Sequence, residues 1–157
     1  MAEPYRVLFV CTGNICRSPM AEGLLREILP NRLQAKVAVS SSGTHARDGQ
    51  KAEPQAIIAA QEIGVDIRGH RARAAGPDII EQSDLILVME KLHAIAIKSM
   101  MPAKEGRVRL VGEYNPTGSV LEIPDPYGGD MLQYRKSLTL IQECLVSVAG
   151  FLDMMLD

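Results

Sequence analysis

The sequence predicts an α/β fold, a single domain in which helices cover both faces of a parallel sheet. Two observations carry this. Short, wholly apolar runs, Val7-Leu8-Phe9-Val10 and Leu85-Ile86-Leu87-Val88-Met89, read as strands buried on both faces. Segments with helical spacing follow such runs, and strands alternating with helices imply a parallel sheet.

Each element has its own reason. Tyr5–Val10 is the first strand, Thr12-Gly13-Asn14 is loop-like, and Ser18-Pro19 opens a helix with proline in the first turn, where its missing N–H is harmless. Ala21, Leu24, Leu25 and Ile28 form one stripe, and Pro30 ends the helix. Val37 and Val39 mark a second strand over Lys36–Ser40, followed by a polar loop from Ser41 to Glu53. Pro54 starts a helix through Ile57, Ala60 and Ile63, which Gly64 stops. Asp84–Met89 is the third strand, Lys91–Met101 a helix closed by Pro102, and Arg107–Val111 a short fourth strand. Glu113–Tyr127, with three prolines, reads as a long loop, a kind that is commonly functional. Tyr134, Leu138, Ile141, Leu145, Val148, Leu152 and Met155 recur at alternating spacings of four and three, the stripe of a terminal helix packed on its own sheet.

Composition narrows the function classes. A chain of 157 residues is long enough for a real core without disulfides, and 46% apolar with 23% charged residues is a folding composition. A net charge of −2 argues against a nucleic-acid binder, despite the local basic stretch Arg68–Arg73. The three cysteines, Cys11, Cys16 and Cys144, are too few and odd in number for a secreted disulfide framework. Met1–Arg6 lacks the pattern of a leader peptide, and no apolar run is long enough to span a membrane. The expected compartment is therefore the cytoplasm, whose reducing conditions keep a thiol available.

In an open α/β sheet, ligands bind beyond the carboxyl ends of the strands, where helices begin. The loop there is Cys11-Thr12-Gly13-Asn14-Ile15-Cys16-Arg17-Ser18. Backbone N–H groups of such a loop converge on an anion, and the helix N-terminus favours negative charge. Gly13 and Asn14 tolerate left-handed backbone, and Arg17 offers a planar fork for two phosphate oxygens. The same positive surroundings favour the Cys11 thiolate. A zinc site is the competing reading of Cys11 and Cys16, but Cys144 and three scattered histidines supply no second ligand pair, so no metal is expected. A reversible Cys11–Cys16 disulfide, protecting the nucleophile, is a third reading. A phenolic leaving group needs a proton donor, and Pro124-Asp125-Pro126-Tyr127 offers a carboxyl held between prolines, with Tyr127 placed to pack against an aromatic substrate.

Together these segments, with Ser41-Ser42-Gly43-Thr44 and Gly69-His70-Arg71-Ala72, resemble the low-molecular-weight protein tyrosine phosphatase family over nearly the whole chain. The resemblance implies a three-layer α/β/α fold with a four-stranded parallel sheet in the order 2-1-3-4. It implies hydrolysis of phosphotyrosine through a phosphocysteine on Cys11. Arg17 would bind phosphate and Asp125 would act as general acid and then base. Thr12, Gly13, Asn14, Ile15, Cys16, Ser18 and Tyr127 would bind phosphate or substrate. Asn14, Ser18, Ser41 and His70 would hold the loop in shape, and Cys16 would be the redox partner of Cys11. Thr12, His45 and Arg47 are expected at the rim. Two departures stand out: Ser42, where the family often has alanine, and Gly128-Gly129, where animal members carry a second tyrosine. The second departure leans the chain toward the bacterial type.

No cofactor is expected. The expected partner is a phosphotyrosine protein, such as a bacterial tyrosine kinase, met by a monomer or weak dimer, with no nucleic acid or membrane. Two other functions fit the same loop. One is a thiol-dependent arsenate reductase, which needs two further cysteines around Ser83–Met89, where this chain has none. The other is a phosphate-binding module without turnover, which leaves Cys11 and Asp125 together unexplained.

Overall fold

A computed structural model describes residues 3–157. Met1 and Ala2, part of the segment read for a leader peptide, lie outside the described residues. Four strands, β1 (Tyr5–Cys11), β2 (Val37–Gly43), β3 (Leu85–Val88) and β4 (Val108–Leu110), form one parallel sheet in the order β2-β1-β3-β4. Five α-helices accompany them: α1 (Arg17–Ile28), α2 (Pro54–Glu62), α3 (Pro77–Gln82), α4 (Lys91–Met100) and α5 (Met131–Met155).

Alternation along β1 divides the core. Val7 and Phe9 join Leu24, Leu25, Ala56, Leu138, Leu145 and Leu152 on the side of α1, α2 and α5. Leu8 and Val10 join Ile80, Ile97 and Val108 on the side of α3 and α4. Val7 through Val10 are all fully buried, so the strand has no solvent face. Each such side chain stabilises the fold by roughly 1.5–3 kcal/mol. β1 pairs with β2 on one edge and β3 on the other, so the chain changes direction across the sheet at its carboxyl end. That end is the switch point at which α/β sheets bind ligands.

Several boundaries differ from expectation. β2 runs on through Ser41, Ser42 and Gly43, read above as loop; the ladder to Phe9, Val10 and Cys11 outweighs the weak strand preference of serine and glycine. α1 begins at Arg17, which puts Pro19 third in the helix, still within the turn whose N–H groups need no helical acceptor. The inner face of α2 is Ala56, Ala59 and Ala60, while Ile63 is exposed. α3, at six residues, is too short to show a period and was not expected; Pro77 opens it and Ile80 anchors it. Part of the long loop is a 3-10 turn over Val111–Tyr114. The α5 stripe is buried from Tyr134 to Leu152, and Met155 is exposed. By length and composition α5 would suffice to cross a bilayer, but its stripe faces this core.

Candidate active site

The loop leaving β1 is held by the chain that follows β2 and by a network beneath it. Just after β2, Thr44 N–H donates to the Cys11 carbonyl at 3.0 Å and His45 N–H to the Thr12 carbonyl at 2.9 Å. This approach requires Gly43, because a Cβ there would lie 2.4 Å from the Thr12 oxygen. Below the loop, Asn14 adopts φ 57°, the one left-handed non-glycine among the described residues; Gly13 does not use that region. Cys16 caps α1 without a side-chain bond, and no acceptor among the described residues engages the N–H groups of residues 12–18. The loop is thus a row of free donors at a helix N-terminus, suited to an anion.

The proton directions beneath it follow from chemistry. Arg73 N–H can only donate, and it donates to Asn14 Oδ1 at 2.9 Å, which fixes the amide orientation. Asn14 Nδ2 then donates to Ser18 Oγ at 2.8 Å and to Ser41 Oγ at 2.9 Å. Ser41 Oγ in turn donates to Glu22 Oε1 at 2.5 Å. Ser18 Oγ lies 2.9 Å from Cys11 Sγ, and toward a thiolate sulfur, which can only accept, its hydroxyl is the donor. His70 Nε2 donates to the Asn14 carbonyl at 2.6 Å. Asn14, Ser18 and Ser41 are buried, so their side chains support the loop from below and do not line the cleft.

Arg17 is 1% exposed. Its Nη1 donates to Glu90 Oε2 at 2.6 Å and to the Ile123 carbonyl at 2.8 Å, which uses both Nη1 hydrogens. Its Nη2 lies 3.6 Å from Asp125 Oδ2, a longer ion pair. The remaining fork, Nε–H with Nη2–H, is the edge that binds two oxygens of a phosphate. Asp125 accepts from Tyr127 N–H at 3.1 Å in a tight turn, and Tyr127 is exposed.

Cys11, Thr12, Gly13, Ile15, Cys16, Arg17, Asp125 and Tyr127 line one cleft of about 170 Å³. His45 and Arg47, expected at the rim, are not among its walls; His45 instead faces Thr44. A larger hollow of about 430 Å³ lies behind the supporting network, lined by Glu22, Arg26, Ser41, His70 and Arg73, with no cysteine in its walls.

Three residues at the site escaped the sequence reading. Glu90 holds Arg17, and His93 Nε2 lies 2.8 Å from Thr12 Oγ1. Their signal was the spacing of an acid and a hydrogen-bonding side chain three residues apart at a helix start. Tyr134, read only as part of a stripe, places its hydroxyl 3.4 Å from Cys16 Sγ. Burial pushes the Cys16 thiol up to about 12, so it stays protonated in the reduced protein. All three cysteines are free.

A conserved family pattern matches residues 6–153, that of the low molecular weight phosphotyrosine protein phosphatases. The chain belongs to this family. It is 40% identical over 136 residues to the probable low molecular weight protein-tyrosine-phosphatase EpsP of Ralstonia nicotianae, covering 87% of this chain and 88% of that relative. Among solved structures it is similar to the tyrosine phosphatase Wzb from Escherichia coli K30 in complex with sulphate, with TM-score 0.85, 33% identity, and coverage of 96% and 99%. It is also similar to the YwlE arginine phosphatase from Geobacillus stearothermophilus, with TM-score 0.86, 31% identity, and coverage of 97% and 95%.

Proposed function

We propose that this chain is a protein-tyrosine-phosphatase that works through a phosphocysteine on Cys11. The observation that carries the reading is the meeting of Cys11, the free edge of Arg17 and Asp125 in one small cleft. Ser18 stabilises the thiolate by donating to it. The thiolate attacks phosphorus while loop N–H groups and Arg17 bind the non-bridging oxygens. Bound phosphate takes the place of Asp125 on Arg17 and frees that carboxyl to protonate the phenolic oxygen. Asp125 then removes a proton from the water that hydrolyses the S–P bond.

Related structures include both tyrosine and arginine phosphatases, and the walls favour the tyrosine reading. Ile15 and Tyr127 offer apolar and aromatic surface to a ring, while Asp125 is the one carboxylate lining the cleft. A guanidinium held there would compete with catalysis for that carboxylate. The expected result is hydrolysis of phosphotyrosine and p-nitrophenyl phosphate in the presence of EDTA, with phosphoarginine turned over more slowly. Preference for phosphoarginine would contradict the reading.

Arsenate reduction is disfavoured. The segment that would carry its cysteines is here the buried strand β3, and Cys144 is buried in α5 with its thiol pushed up to about 11 by burial. Redox protection of Cys11 by Cys16 belongs to the same proposal, supported by their shared place in the cleft wall. Burial keeps Cys16 a thiol, against the opposing hydrogen bond from the Tyr134 hydroxyl; once hydrogen peroxide, itself reduced to water, has oxidised Cys11 to a sulfenic acid, the two condense to a disulfide and release a second water. The cytoplasm, a monomer or weak dimer, and a bacterial tyrosine kinase among the substrates complete the reading.

A further inference from the structure

The first turn of α4 holds the phosphate loop at both ends. Glu90 binds Arg17, near the far end of the cradle, and His93 reaches Thr12, the first residue after Cys11. His93 is completely buried, and its tautomer is fixed. Glu90 N–H donates to its Nδ1 at 3.1 Å, so Nδ1 is an acceptor and the proton sits on Nε2. Nε2–H therefore donates to Thr12 Oγ1. Capping α4 needs only Nδ1, so the second bond, across 81 residues of sequence, has a different purpose. Thr12 is the loop residue that His93 reaches, and it lines the cleft.

We infer that His93 is a positioning residue: it fixes the Thr12 hydroxyl, and with it the backbone just after the nucleophile. This rests on the proposed role of Cys11. Burial, with the nearby Arg17 cation, holds the imidazole down to about 4, so it remains a neutral donor, against the opposite pull of Glu90, Asp125 and Glu122. A second proton, on Nδ1, would face the Glu90 N–H and break the arrangement.

The test is steady-state kinetics on Thr12→Val, Thr12→Ser, His93→Leu and the Thr12→Val/His93→Leu double variant, with inorganic phosphate as competitive inhibitor. Thr12→Val, which loses the hydroxyl at constant shape, is expected to lower kcat/KM about tenfold and to weaken phosphate inhibition in parallel. Thr12→Ser is expected to restore both. In the His93→Leu background, Thr12→Val is expected to add no further loss. Thr12→Val within twofold of the parent enzyme, or single losses that add, overturns the inference even if His93→Leu folds poorly. Should Cys11→Ser retain turnover, the reading of the cleft itself fails.

Discussion

Ser42 Oγ is buried with no hydrogen-bond partner, alone in this among the described buried side-chain polar atoms. Its neighbours Ser41 and Ser18 show what a satisfied serine does here: each both accepts and donates in the chain that ends at Cys11. Ser42→Ala removes an unpaired hydroxyl and nothing else, so it should stabilise the protein by about 1 kcal/mol with unchanged kcat. A rise in urea midpoint at constant slope would show it; a fall would mean that the hydroxyl has a partner. That Cys11, Arg17 and Asp125 belong to one candidate site was legible in sequence, because their residue types and the strand–loop–helix context have few other uses together, and the three do line one cleft. His93 and Tyr134 were not. A histidine on a helix and a tyrosine in an apolar stripe read as packing, and only tertiary structure brings them to Thr12 and Cys16.

Among the elements, β1, β3, α4 and α5 fell within a residue or two of expectation, because their apolar periods are long or uninterrupted. β2 was cut short, and the reason bears on function. Ser41-Ser42-Gly43 is poor strand sequence that is held in the sheet by β1, and it places Ser41 under Asn14 and Gly43 against the loop. The polar residues that blurred the strand are therefore those that support the site. Gly43→Ala should displace the loop, since its Cβ would also lie 2.9 Å from Asn14 N. The expected outcome is a loss of about 10²-fold in kcat/KM with a cooperative unfolding transition retained. Kinetics within twofold of the parent enzyme would show that the loop does not depend on that close approach.

For the molecule as a whole, the buried His93 ties stability to pH. In the unfolded chain it titrates near 6.5, and in the folded protein near 4. Below pH 6.5 the unfolded chain takes up a proton that the fold refuses, so stability falls from about pH 6.5 down to about 4 and levels off beneath. The effect is on the order of 3 kcal/mol. Urea midpoints across this range should drop in the parent protein and drop less in His93→Gln; equal slopes would remove His93 as the cause. Fold and cleft meet at one atom, Cys11 Sγ, at the switch point of the sheet. The direct measurement is mass spectrometry on enzyme acid-quenched during turnover of p-nitrophenyl phosphate. p-Nitrophenolate departs with little need of protonation, so the phosphoenzyme is expected to accumulate during turnover. A phosphoryl group on Cys11, absent when Cys11 is replaced by serine together with the turnover, is the predicted result. Turnover that persists in Cys11→Ser, or a phosphoryl group found on another residue, would contradict the account.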